Sequence, residues 1–121
     1  MKPVRGIRID AERRVVEEVT IASLEDAQAA VGGYLERVHS LDAVNELYAD
    51  EEGRLKDLHH AFHFQGCPHE VLVGSGLIVG GDDETGDWID ATIPVAEVSR
   101  RVSWLSAVHV DRGIAFRVFP L

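Results

Sequence analysis

The sequence predicts an α+β fold, a single domain over residues 1–121 that is mainly antiparallel β-sheet with two helices. Three observations predict it. Several short stretches alternate apolar and polar residues, two others repeat apolar residues at helical spacing, and the connections between them are short and turn-like. With 121 residues and 45% hydrophobic content, the chain can bury a core without disulfides to staple it.

Val4 to Asp10 and Val15 to Ile21 read as strands. In the first, Ile7 and Ile9 alternate with Arg8 and Asp10. In the second, Val15, Val19 and Ile21 alternate with Val16, Glu18 and Thr20, while Glu17 interrupts the apolar side. The polar residues between the two strands suit a hairpin connection. Ser23 is a good helix N-cap, and Glu25 and Asp26 in the first turn suit the helix dipole. Leu24, Ala27, Gln28 and Val31 follow helical spacing until Gly32-Gly33 stops the helix.

Tyr34 to His39 reads as the next strand. Glu46 to Asp50 and Arg54 to Leu58 flank Glu51-Glu52-Gly53, where a third-position glycine supplies the positive φ of a three-residue hairpin loop. His59 to Phe64 continues as strand, and residues 65–68 form a turn. Val71 to Gly80 is a nearly continuous apolar run, as expected of a central strand covered on both faces. Gly74 or Gly76 there marks a bulge or a close backbone approach. Gly81 to Gly86 is a charged hairpin turn, and Trp88 to Ile93 a short strand. Pro94 suits the first position of a helix, after which Val95, Val98, Val102 and Leu105 share one helical face. His109 to Phe119 reads as a terminal strand. The total is roughly seven strands and two helices. The expected core includes Ile7, Val19, Leu24, Val31, Leu72, Leu77, Val79, Val98 and Val102.

Charge narrows the partners. The formal net charge of −9 argues against direct nucleic-acid binding and against anionic membranes, and it is compatible with a basic partner. One cysteine, Cys67, excludes an intramolecular disulfide. The first residues carry positive charge but no apolar stretch, so no secretory leader is expected, and no apolar run is long enough to span a bilayer. A cytoplasmic protein is therefore expected, with self-association left open.

Four stretches carry a resemblance: Ile9-Asp-Ala-Glu-Arg-Arg-Val-Val-Glu-Glu-Val19, Ala30-Val-Gly-Gly-Tyr34, Leu47-Tyr-Ala-Asp-Glu-Glu-Gly-Arg-Leu-Lys56 and Val73-Gly-Ser-Gly-Leu-Ile-Val-Gly80. Together they make the chain, over residues 7–105, resemble a family of small uncharacterised proteins from phages, plasmids and the bacteria that carry them. Members are described as a domain of unknown function. The resemblance implies an accessory protein of a mobile element and transfers no catalytic residue. The His-rich segment lies outside its pattern.

That segment holds the candidate site residues. Four of the six histidines and the only cysteine fall between Leu58 and His69. Imidazole and thiolate are usual zinc ligands, so His59, His63, Cys67 and His69 are the candidate metal ligands. In a helix, His59 and His63 would be neighbours able to share a metal. In a strand they stand ~13 Å apart. The alternation of Phe62 and Phe64 before a Gly-Cys-Pro turn favours the strand. His63 then meets Cys67 or His69 only across the turn, and a four-ligand set would need His39 or His109 from elsewhere. Cys67 as a nucleophile would need His63 or His69 to lower its pKa, with Asp57 or Glu70 to orient that histidine.

Two further clusters are less specific. Gly74-Ser-Gly76 lacks the Lys-Ser/Thr of a phosphate-binding loop. Asp82, Asp83, Glu84 and Asp87 do not match calcium-loop spacing. The sequence thus favours a non-enzymatic accessory protein with no cofactor and no catalytic residues, binding a host protein or a small ligand. The alternative is a metal- or thiol-dependent enzyme built on residues 59–69.

Overall fold

From residue 4 the chain runs directly into a hairpin. Strand β1 (Val4–Asp10) pairs with β2 (Val15–Ile21) over its whole length, from Val4 opposite Ile21 to Asp10 opposite Val15. The structure is a computed structural model and describes residues 1–53, 59–69, 71–110 and 113–118. Among these, every strand pairing is antiparallel. The expected α+β class is what the chain adopts.

Helix α1 (Leu24–Val31) begins where the sequence places it. The Ser23 hydroxyl accepts the Asp26 backbone N–H at 3.1 Å, and the Asp26 carboxylate accepts the Ala22 N–H at 2.9 Å. The first of these satisfies a donor that a helix start leaves open, and the second ties the preceding residue to the first turn. Gly32 closes the helix at φ 88°. Ser23→Ala is expected to cost ~0.5–2 kcal/mol, read as a lower urea midpoint at unchanged m-value. The helix buries Ala27, Ala30 and Val31, whose two small side chains let it lie close to the sheet. Leu24, expected in the core, is 53% exposed, because the first turn of so short a helix projects into solvent.

Strand β3 (Leu35–Ser40) pairs with β4 (Asn45–Asp50), with a register shift between Arg37 and His39. The expected partner of β4 at 54–58 lies outside the described residues. Strand β4 also pairs with β7 (Gly76–Gly81), which in turn pairs with β1. The sheet order is β2-β1-β7-β4-β3, and β8 (Trp88–Ile89) joins the far end of β7.

A second sheet has the order β10-β9-β5-β6. It comprises β5 (His60–Phe64), β6 (Leu72–Val73), β9 (Val102–Val110) and β10 (Gly113–Val118). Two sequence expectations change here. The apolar run from Val71 is not one strand. Gly74, at φ 94°, breaks it into β6 and β7, which belong to different sheets. Helix α2 (Val95–Arg101) also stops before Val102 and Leu105, which lie in β9. Pro94 is its N-cap rather than its first residue, and the strand expected over Trp88 to Ile93 ends at Ile89.

The result is layered. One face of the first sheet packs Leu77, Val79, Val4 and Ile21 against α1. The other packs Ile7, Ile9, Leu47 and Ile78 against Phe62 and Phe64 of β5, Trp104 of β9 and Val98 of α2. Strand β7 is thus covered on both sides, which explains its unbroken apolar sequence. Of the remaining expected core residues, Val31 and Leu72 are buried, whereas Val19 and Val102 are only half-buried.

Candidate functional site

Residues 60–64 are extended, as the alternation of phenylalanines predicts. Phe62 and Phe64 point into the core, whereas His60 and His63 are half-buried. His63 lies opposite Ser103 and His60 opposite Ser106. His59 precedes the strand and is exposed. The turn after β5 is tightly held. The Cys67 N–H donates to the Phe64 carbonyl at 3.0 Å, and the Arg101 guanidinium donates to the Gln65 carbonyl at 2.8 Å. That same guanidinium lies 4.5 Å from the centre of the Phe64 ring.

The turn brings two of the four candidates together. The buried Cys67 sulfur is 3.8 Å from His69 Nδ1. His69 in turn lines a cleft of about 250 Å³ with Glu36, Asp50 and Glu51, floored by Val38, Ala49 and Leu72. His39 sits on β3 in the other sheet, and His109 lies on β9 opposite Ile114. Among the described residues, no three His, Cys, Asp or Glu side chains converge as a metal-ligand set. Asp57 and Glu70, named to orient a catalytic histidine, lie outside the described residues.

A second site lies at the opposite end of β4 and β7, around Trp88. Its indole N–H donates to the Tyr48 hydroxyl at 3.2 Å, and the two rings meet edge to face at 5.6 Å. Tyr48 donates onward to Glu46 at 3.1 Å, and Glu46 is paired with Arg37 at 3.3 Å. Burial pushes the Tyr48 phenol up. The Trp88 N–H and Arg37 oppose that shift, while Glu46 adds to it. The phenol therefore stays protonated and keeps donating to Glu46.

Recesses open on two sides of this indole. One, about 550 Å³, is lined by Met1, Lys2, Asp82, Asp87, Trp88 and Ile89 among others. The other, about 280 Å³, is lined by Arg37, Glu46, Tyr48, Asp82, Asp83 and Trp88 among others. Between them stands the β7–β8 connection, the charged hairpin turn read from the sequence. Asp82 organises it by accepting the Glu84 and Thr85 N–H groups at 2.9 and 3.4 Å. Thr85 Oγ1 accepts the Asp87 N–H at 3.2 Å.

With this geometry in hand, the comparisons give a family. A family model described as Domain of unknown function (DUF3846) matches residues 4–102. The chain belongs to that family. No curated protein and no solved structure matches it. The match takes in Tyr48, Cys67, His69 and Trp88, leaves out Met1 and Lys2, and ends at the first residue of β9. Among the described residues, no helix is long and apolar enough to cross a membrane.

Sequence reasoning missed the Trp88 site because its two aromatics come from distant segments. Tyr48 and Trp88 meet only after β4 and β8 are placed on either side of β7. The one local clue was a tryptophan one residue beyond an acidic, glycine-bounded turn.

Proposed function

We propose that this chain is a non-enzymatic binding protein whose ligand sits in the groove around Trp88, and that it serves a phage or plasmid by engaging a host protein in the cytoplasm. The observation that carries the reading is the indole of Trp88, held by Tyr48 and bordered by two recesses. Concave sites of this size with an aromatic wall and a few fixed polar groups are the usual form of a binding site. The mobile-element role is supported by the resemblance of the four sequence stretches alone.

The test uses tag-free protein coupled to a support and exposed to bacterial lysate, beside the Trp88→Ala variant. A partner retained by the parent chain and lost by the variant is expected. Equal retention by both would remove the groove from the reading.

A second reading has one observation in its favour, the contact between Cys67 and His69. It is a metal- or thiol-dependent enzyme using His59, His63, Cys67 and His69. Metal analysis of the tag-free chain separates the two. The binding reading expects no zinc or nickel. About one equivalent per chain, lost in His63→Ala or His69→Ala, would favour the enzyme.

A further inference from the structure

We infer that the occupant of the Trp88 groove is a basic segment of a partner protein, whose lysine or arginine side chains reach the indole from recesses bordered by Asp82 and Asp87 on one side and by Asp82 and Asp83 on the other. The inference rests on the groove being the binding site and adds the chemistry of what enters it. An aromatic face attracts a cation through its quadrupole, and most strongly where the face is indole. Both recesses reach this indole.

The charges around it are unbalanced. Four carboxylates, Glu46, Asp82, Asp83 and Asp87, line the two recesses against three cations, Lys2, Arg37 and the Met1 ammonium. Arg37 is already matched by Glu46. Among the described residues, Asp82, Asp83 and Asp87 have no cationic partner. The turn's own hydrogen bonds hold Asp82 and the backbone of Asp87 in place, so little reorganisation is needed to receive a positive charge. Asp82 borders both recesses and is held by the turn, while Asp83 and Asp87 are exposed and free to meet the incoming cations.

Apolar surface adjoins the charge. Met1 and Ile89 line the larger recess at 67% and 37% exposure. A basic residue next to an apolar one therefore suits the groove better than a bare polycation. The net charge of −9 steers such a segment in and repels polyanions.

The test is calorimetric titration of the full chain with a capped peptide of three Arg-Leu-Ser-Gly repeats, beside the same peptide with Gln for Arg. The Arg peptide is expected to bind about tenfold more tightly than the Gln peptide. Trp88→Leu should weaken it about tenfold, and Asp83→Asn with Asp87→Asn roughly fivefold. Both aspartates are exposed, so the double variant is expected to fold, and circular dichroism verifies this. Glu12→Gln with Glu25→Gln removes the same charge elsewhere and should change affinity by less than about twofold.

Equal weakening by the two double variants would overturn the inference in favour of diffuse attraction. Equal binding of the two peptides would overturn it in favour of a purely apolar groove, and so would no binding of either. In each of those cases, loss of the lysate partner in Trp88→Ala would leave the groove standing and only the cation reading would fall. Retention of that partner would remove both.

Discussion

Replacing Phe62 by Ala is expected to cost about 3–5 kcal/mol of stability. Phe62 is fully buried and sits where the two sheets meet, among Ile7, Leu47, Ile78 and Trp104. Its partner across the interface is a glycine. A Cβ built at Gly76 would lie 2.7 Å from Phe62 Cζ and 3.4 Å from Leu47 Cδ1. The ring therefore rests on bare backbone of the central strand, and its removal leaves a cavity that neither sheet can readily fill. The converse change, Gly76→Ala, overpacks the same point and should cost ~1–3 kcal/mol. Adding Phe62→Leu to Gly76→Ala should recover part of that loss, because the two changes act on one contact. Urea unfolding of the parent chain, Phe62→Leu, Gly76→Ala and their double variant measures this cycle, with Phe62→Ala measured beside them. A loss below ~1 kcal/mol for Phe62→Ala would show that the ring is not seated there.

The second large effect is expected at Asn45. This side chain is 1% exposed and joins the start of β4 to the segment leading into α2. Its amide nitrogen donates to Thr92 Oγ1 at 2.9 Å and to the Asp42 carboxylate at 2.9 and 3.2 Å. Its oxygen accepts the N–H groups of Thr92 and Ile93 at 2.9 and 3.4 Å. Asn45→Ala strands those buried donors, and a loss of about 3 kcal/mol is expected. Asn45→Asp should be worse at neutral pH, since it sets a second carboxylate against Asp42. Its introduced carboxyl has a raised pKa, so the destabilisation grows as pH rises through that value.

Asp42 responds in the opposite sense. Burial acts to raise its pKa, but the Asn45 backbone and side chain, the Val44 N–H and the charge of Arg101 outweigh burial and hold it below the usual aspartate range. Its contribution is full above the unfolded-state pKa and is lost as pH falls through the lowered folded-state value. The difference in stability between the parent chain and Asn45→Ala should therefore narrow in acid. Thermal unfolding at a series of pH values reads this directly, and a gap that widens in acid would contradict the assignment.

Much of the fold was legible because local chemistry and tertiary structure agree. The alternation in Val4 to Ile21, the Ser23 cap and the Gly32 stop each specify an element whose partners are near in sequence. The failures have a shared cause. Val95, Val98, Val102 and Leu105 match a helical stripe, but Val102 and Trp104 also alternate as a strand does, and pairing with β5 decides between them. The run from Val71 to Gly80 lost its alternation because both faces of β7 are covered, so nothing in its polarity announced the break at Gly74. The extended His segment was legible from its phenylalanines, and the Cys67–His69 approach from the turn. The pairing of Tyr48 with Trp88 depends on sheet order, which no local pattern encodes.

Helix α2 passes into β9 with no intervening residue: Arg101 is the last of the helix and Val102 the first of the strand. Two residues later, Trp104 and Leu105 are buried in separate clusters on opposite faces of the second sheet. Chain length at this junction is consequently a parity constraint. One residue more or fewer would exchange those two faces along the whole strand, whereas two would restore them at a shifted pairing. The β1–β2 turn, whose side chains are exposed at residues 12–14, carries no such constraint. Length variation within the family is thus expected to collect at that turn and to be absent from the helix–strand seam.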